Sequence, residues 1–138
     1  EIVEELVADG VRARRIPVDY ASHSAHVERI RERLISDLAG ITPTASEVPF
    51  HSTVTGELLD TTALDAEYWY TNLRQPVRFE PTIRQLLAEG HGAFIECTPH
   101  PVLTTAVEET AEDAEISALV VGSLRRDEGG MRRMLTSL

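Results

Sequence analysis

Two short apolar runs, separated by a helical pattern, constrain most strongly what this chain can fold into. Residues 93–97 and 118–124 are apolar and of strand length, and a helix is predicted to start between them over residues 102–109. Ahead of the first run, Pro81 suits the first turn of a helix that ends at Gly90. Apolar runs bounded by turn residues are typical of strands buried in a parallel sheet. The alternation therefore predicts an α/β layered fold with a largely parallel sheet.

Weaker patterns occupy the rest of the chain. They predict helices over residues 1–9, 27–38 and 131–138 and strands over residues 11–18 and 48–54, the last able to turn back as a hairpin. An acidic stretch at residues 108–115 is predicted to be an exposed connection. Helix and strand patterns thus alternate from one end of the sequence to the other.

Charge and cysteine content limit the partners. The sequence has 23 acidic and 13 basic residues, a formal net charge of −10, and its basic residues cluster only in pairs. This excludes nucleic acid and anionic membrane surfaces as expected partners and leaves small molecules or proteins. The single cysteine, Cys97, excludes an internal disulfide and fits a reducing cytoplasm. No apolar run approaches the roughly 18 residues of a membrane span.

His23 lies where a predicted strand gives way to a predicted helix. Loops of this kind, fixed by scaffold on both sides, are where α/β enzymes place reacting groups. Ser22 and Ser24 are its neighbours, but adjacent side chains in an extended loop point to opposite sides and do not easily share a proton. Ser24 is predicted to cap the helix, so a serine activated by His23 must come from elsewhere. Cys97 is the other conceivable nucleophile, although its place at the end of an apolar strand is typical of a packing residue.

The remaining histidines suggest no metal site. His23 and His26 are three residues apart, with no carboxylate or cysteine at a helpful spacing. His100 stands between two prolines, which indicates a structural role, and the sequence reveals no partner for His51 or His91. A glycine-rich phosphate loop is also missing from the sequence.

Three motifs together resemble the acyltransferase domain of modular type I polyketide synthases. They are Tyr20-Ala21-Ser22-His23-Ser24, the aromatic stretch Tyr68-Trp69-Tyr70-Thr71-Asn72-Leu73-Arg74-Gln75-Pro76-Val77-Arg78-Phe79, and Thr98-Pro99-His100-Pro101-Val102-Leu103. Their order and spacing match the family, and the resemblance covers essentially the whole chain.

The resemblance implies that the chain is one portion of a larger fold. Residues 1–18 would be the last helix and strand of a small ferredoxin-like subdomain, and residues 19–138 the C-terminal part of a large α/β-hydrolase-like acyltransferase subdomain. The family's nucleophilic serine lies in a Gly-His-Ser-x-Gly elbow, which is not in this sequence, and neither is the half that carries the arginine for the extender carboxylate. The sequence begins without methionine, inside a helical pattern, so we expect a piece of a larger polypeptide.

By the same resemblance, His23 is the catalytic base. It takes the proton of the serine that attacks an acyl-CoA thioester, and later activates the phosphopantetheine thiol of an acyl carrier protein. The family uses a main-chain carbonyl in place of an acidic third residue, and the matching position is Asn72. The resemblance implies no cofactor bound by this segment. The CoA thioester is substrate, and the phosphopantetheine belongs to the carrier protein.

The residues before His23 resemble the motif of domains that select methylmalonyl-CoA, whereas malonyl-selective relatives carry His-Ala-Phe-His. Tyr20, Ala21 and Ser22 are therefore expected to bind substrate, with Tyr20 shaping the pocket wall. A phenylalanine at position 22 would fill the space that an α-methyl group needs, and Ser22 leaves it open. One methyl group in a pocket is worth roughly 1–3 kcal/mol, so the motif should bias selection.

Two other functions remain open at this point. One is the malonyl-CoA transacylase of fatty acid synthesis, and the other is a non-catalytic docking or scaffold module. The preferred interpretation implies as partners the acyl carrier protein, the ketosynthase and linker domains of the same cytoplasmic megasynthase, and the N-terminal half of the acyltransferase. The segment alone is expected to be inactive, because a base without a nucleophile permits no covalent step.

Overall fold

The computed structural model describes residues 1–137, which form helices and short strands joined by loops. In chain order the elements are α1 (Ile2–Ala8), a 3₁₀ helix (Ala25–Ile30), α2 (Arg31–Asp37), β1 (Phe50–Ser52), β2 (Glu57–Leu59), a 3₁₀ turn (Thr61–Ala63), α3 (Ala66–Arg74), α4 (Phe79–Ala88), β3 (Ala93–Glu96), α5 (Thr104–Asp113), β4 (Leu119–Gly122) and α6 (Met131–Ser137). None of the helices in this described part is both long and apolar enough to cross a lipid bilayer.

The core lies between α4, α5 and the β3–β4 pair. Ile83 and Leu87 are buried one turn apart on α4, and Val107 and Ala111 are buried one turn apart on α5. Residues four apart share one face of a helix, so each helix presents a short apolar stripe to the other. The half-buried hydrophobic residues packed against this cluster are Phe79, Leu86, Phe94, Ala114, Ala118 and Val120.

The strands confirm the α/β class but not a single, largely parallel sheet. β3 and β4 pair in parallel, with Phe94 opposite Val120, and α5 connects them. β1 and β2 form a separate antiparallel hairpin, as the pattern at residues 48–54 allowed. Pro81 lies in the first turn of α4, as predicted, where its missing N–H costs no helical hydrogen bond.

The hairpin is attached to α3 through a buried serine. Ser52 is fully buried, and its hydroxyl lies 2.8 Å from the Tyr68 hydroxyl of α3. The same Ser52 oxygen accepts the backbone N–H of Val54 at 3.1 Å, and the Gly56 N–H closes the turn on the Ser52 carbonyl at 2.7 Å. Tyr68 of the aromatic stretch thus anchors the hairpin to α3.

Three predicted elements differ from the structure. Residues 11–18 form no strand, because a strand needs a neighbour and the backbone bonds of this segment are local, such as Val18 N–H to the Ile16 carbonyl at 2.9 Å. The helix predicted over residues 27–38 divides into the 3₁₀ helix and α2. α5 continues into the acidic stretch because Val107 and Ala111 must share one buried face. Leu138, predicted to end the last helix, lies outside the described residues.

The resemblance also implied a division of the chain at residue 18. Every residue of α1 is exposed, including Ile2 at 73% and Val7 at 55%. This exposure does not test the division into a ferredoxin-like piece and a hydrolase-like piece, which stays a prediction.

Candidate active site

His23 occupies a strained backbone position just before Ser24, the N-cap of the 3₁₀ helix. Its φ is +57°, in the left-handed region that side chains with a Cβ rarely adopt. The His23 N–H donates to the Leu73 carbonyl at 2.7 Å, which ties the loop to the last turn of α3. Ser24, as predicted, caps the 3₁₀ helix by accepting the His26 N–H at 3.3 Å. The fold therefore holds His23 between two helix ends.

The His23 ring is oriented by a main-chain carbonyl. Nδ1 lies 2.7 Å from the carbonyl oxygen of Gln75. A carbonyl can only accept, so Nδ1 carries the proton and donates it. The neutral ring then keeps its lone pair on Nε2, which is the nitrogen a general base uses. The His23 residue is exposed in this structure.

The carbonyl comes from Gln75, so the expectation that Asn72 supplies it is wrong for this structure. α3 runs on to Arg74, which leaves Asn72 inside the helix. Gln75 is the first residue after it and is extended, with φ −83° and ψ 157°, so its carbonyl points away from the helix. Pro76 explains this conformation, because proline disfavours a helical residue before it. That proline was the signal by which sequence reasoning could have found Gln75.

Two ion pairs fasten the His23 segment to α3. Arg74 places Nε 2.9 Å and Nη2 2.8 Å from one carboxylate oxygen of Glu28 in the 3₁₀ helix. Arg31, at the start of α2, pairs with Glu67 and lies over the Tyr70 ring, 5.1 Å from its centroid. Exposed pairs of this kind contribute only about 0–1 kcal/mol each. Their effect here is to define how the helix after His23 sits against α3.

The residues predicted to bind substrate directly precede His23 in the chain. Tyr20 is 70% exposed, and Ser22 is half-buried. Ala21 fixes the loop through its carbonyl, which accepts the Ser24 hydroxyl at 2.7 Å. Ser24 is thereby committed to holding the loop. That the nucleophile comes from outside this motif stays a prediction.

Cys97 is not brought to His23. The thiol is exposed and contacts the Ile95 carbonyl at 3.8 Å, and within residues 1–137 it forms no hydrogen bond to the histidine. Cys97 and His23 thus form no nucleophile–base pair within the described residues.

Glu96 organises the turn between β3 and α5. Its carboxylate accepts the backbone N–H groups of Val102, Leu103 and Thr104 at 2.8–3.1 Å, and also the Thr98 hydroxyl at 3.0 Å. Burial acts to raise the pKa of this carboxyl, but the hydrogen bonds outweigh burial and hold the pKa below its ordinary value. The third sequence motif is thus a loop wound around one carboxylate, with a structural role.

Sequence reasoning missed one cluster entirely. His51 of β1 lies beside Glu89 and His91, and one ligand atom from each lies within 4.8 Å of the others. No local spacing predicts this, because the hairpin and the end of α4 meet only in the folded chain.

Comparisons with known proteins address the family. Residues 1–138 match the family model described as acyl transferase domain. The spectinabilin polyketide synthase system protein NorA of Streptomyces orinoci is 58% identical over 139 residues, which are 100% of this chain and 7% of that protein. The chain thus spans a small part of the length of the curated relatives it matches.

Solved structures agree. The acyltransferase domain from module 8 of the salinomycin polyketide synthase has a TM-score of 0.92 and 57% identity, covering 98% of this chain and 32% of that one. A malonyl-CoA:acyl carrier protein transacylase from Xanthomonas oryzae has a TM-score of 0.71 at 21% identity, covering 91% of this chain and 39% of that one, which shows a shared fold alone.

Proposed function

The chain belongs to the acyl transferase domain family, and on that premise we propose that it is part of a polyketide synthase acyltransferase. The proposed reaction moves a methylmalonyl extender unit from CoA to the phosphopantetheine thiol of an acyl carrier protein, through an acyl ester on a serine that lies outside this sequence. The observation that carries the proposal is the hydrogen bond from His23 Nδ1–H to the Gln75 carbonyl at 2.7 Å.

In the proposed first half-reaction, Nε2 of His23 removes the serine proton as the serine oxygen attacks the thioester carbonyl. The tetrahedral intermediate collapses, the carbon–sulfur bond breaks, and the imidazolium returns the proton to the CoA thiolate. In the second half-reaction, the same nitrogen deprotonates the phosphopantetheine thiol, which attacks the acyl ester and releases the serine, reprotonated by His23.

The main-chain carbonyl of Gln75 takes the place of the acidic residue of a serine–histidine–acid triad, and it supplies a dipole in place of a charge. The carbonyl holds the ring and its tautomer, as a carboxylate does, but it brings no full negative charge to stabilise the imidazolium. Orientation is thus the main contribution of this residue. No cofactor enters the proposed reaction.

The proposed selection step depends on Tyr20, Ala21 and Ser22. These residues lead directly into the fixed backbone of His23, so a change in their bulk acts close to the acyl group. The expected bias toward methylmalonyl over malonyl is about 10–200-fold, the worth of one methyl group in a pocket. The acyl carrier protein and the neighbouring ketosynthase and linker domains of a cytoplasmic synthase are the proposed partners.

Two alternatives are kept as outcomes of the test. They are a malonyl-CoA transacylase of fatty acid synthesis and a non-catalytic scaffold piece. The high identity to a polyketide synthase protein, against 21% to the transacylase, favours the first proposal.

The test uses the complete acyltransferase domain that contains this segment, with equal methylmalonyl-CoA and malonyl-CoA competing for a carrier protein. We expect methylmalonyl transfer to dominate, and the double substitution Ser22→Phe with Tyr20→His to shift preference toward malonyl. Ser36→Phe adds the same ring at an exposed serine on α2 and should change nothing. Preference for malonyl in the unsubstituted domain would support the transacylase, and no transfer of either group would support the scaffold.

A further inference from the structure

A cluster of three metal-ligating side chains lies away from His23. His51 is the middle residue of β1, while Glu89 and His91 flank Gly90 just after α4. One ligand atom from each of the three lies within 4.8 Å of the other two. We propose that His51, Glu89 and His91 form a binding site for a zinc-class divalent cation.

The backbone on both sides of the cluster is fixed. His51 pairs with Leu58 in the hairpin. After α4, Gly90 adopts φ +93°, and the N–H groups of Gly90 and His91 both donate to carbonyls of the last helical turn at 3.0 Å. A left-handed glycine is a common stop at a helix end, and the side chains on either side of Gly90 bring their ligand atoms together here. The backbone that carries the three ligands is therefore held in place without any metal.

The donor set suits zinc. Two imidazole nitrogens with one carboxylate oxygen are a known three-ligand combination for tetrahedral Zn²⁺, whose fourth position stays open to water. Bonds of about 2.0–2.1 Å place tetrahedral ligand atoms roughly 3.3 Å apart. His51 Nε2 and Glu89 Oε2 are 3.9 Å apart. Glu89 is 43% exposed and His91 is exposed, so both side chains have room to make the small movement inward.

The His51 ring lacks partners in the described residues. Its side chain is only 13% exposed, and Nδ1 is buried without a hydrogen bond in that part of the chain. The 3.9 Å separation of Nε2 from Glu89 is too long for a hydrogen bond. The His91 ring approaches at 6.3 Å between centroids with its plane at 77° to that of His51. In the proposed site the cation lies between the rings and the carboxylate and is bound by His51 Nε2, the nitrogen 3.9 Å from Glu89 Oε2.

The test measures metal binding and needs no transfer activity. The complete acyltransferase domain that contains this segment carries Cys97→Ser as a common background, because an exposed thiol can itself bind zinc or cobalt. After treatment with a chelator, it is titrated with zinc chloride by calorimetry, and with cobalt chloride by visible absorption. We expect one ion per chain and the intense absorption bands of tetrahedral cobalt.

Two exposed ligands supply variants that leave the core alone. His91→Ala and Glu89→Gln should each weaken zinc affinity by about tenfold or more, a difference of 1.4 kcal/mol. The matched controls, His100→Ala and Glu112→Gln, alter an exposed histidine and an exposed glutamate outside the cluster and should leave affinity unchanged. Circular dichroism checks that every variant is folded.

Two results would overturn the proposal. One is the absence of one-to-one zinc binding to the folded protein. The other is one-to-one binding that persists in both His91→Ala and Glu89→Gln, which would place the ion elsewhere.

Discussion

Gly122 is a position where one added methyl group should lower the free energy of unfolding. A Cβ built there lies 2.7 Å from both Cβ and Cγ of Pro101, and neither side yields easily. Gly122 is held in β4 by pairing with β3, and the Pro101 ring is rigid in the loop that Glu96 organises. Forcing extra volume into such a contact typically costs about 1–3 kcal/mol. We therefore expect Gly122→Ala to lower the free energy of unfolding by that amount.

The change is measured by urea and thermal unfolding of the Gly122→Ala variant and of the unsubstituted protein. In domains that span this size, 1 kcal/mol corresponds to about 2–8 °C in Tm. The matched control is Gly92→Ala, whose Cβ meets nothing within 4 Å and whose φ is not positive. This control should be neutral or stabilising by up to about 1 kcal/mol, because alanine restricts the unfolded chain.

A double-mutant cycle isolates the clash. Pro101→Gly removes both contacting atoms and has a cost of its own, which is present in both arms of the cycle. On that background, Gly122→Ala should cost less than about 0.5 kcal/mol. If Gly122→Ala destabilises the protein equally with and without the proline ring, or if it has no effect in the native sequence, the steric argument is wrong.

Two further predictions concern the site and its supporting loop. In the complete acyltransferase domain, His23→Ala should lower the transfer rate by about 10²–10⁴-fold, whereas Gln75→Ala should leave it within about threefold, since the contact is through the main chain; a large loss in Gln75→Ala would contradict this. Because the folded pKa of Glu96 is lowered, its contribution to stability is complete above the unfolded pKa of about 4.3 and is lost as the pH falls through the folded value. As the pH is lowered from about 6 to about 3, the urea concentration at the unfolding midpoint should therefore decrease less in Glu96→Gln than in the native sequence. Equal decreases in the two proteins would show that this carboxylate does not contribute.

Elements with a strong local pattern could be predicted, and elements that depend on a partner could not. The apolar runs became β3 and β4, and the Pro81 helix became α4, because their patterns include turn residues at both ends. Residues 11–18 include three arginines and a proline among their apolar residues and have no neighbouring strand within the described residues, and a strand without a neighbour does not form. Local sequence reports the preference for extended backbone, not the presence of a partner.

The candidate site divides in the same way. His23 was found from its place at a junction and from the motif around it. Its carbonyl partner was assigned to Asn72 from the resemblance to the family, whereas α3 runs on to Arg74 and the carbonyl that His23 contacts is that of Gln75, the residue after the helix. The cluster of His51, Glu89 and His91 had no local signal, since it exists only where the hairpin meets the end of α4.

The left-handed backbone of His23 sets stability and turnover in competition at a single position. Histidine at a φ of +57° carries a cost of about 1–2 kcal/mol that glycine escapes and asparagine tolerates better. A library randomised at this position and sorted only for heat resistance should therefore enrich glycine and asparagine, and so discard the proposed base. Sorting for product should restore histidine. Directed evolution of such a domain for robustness thus has to leave residue 23 out of the library, or select for activity in every round.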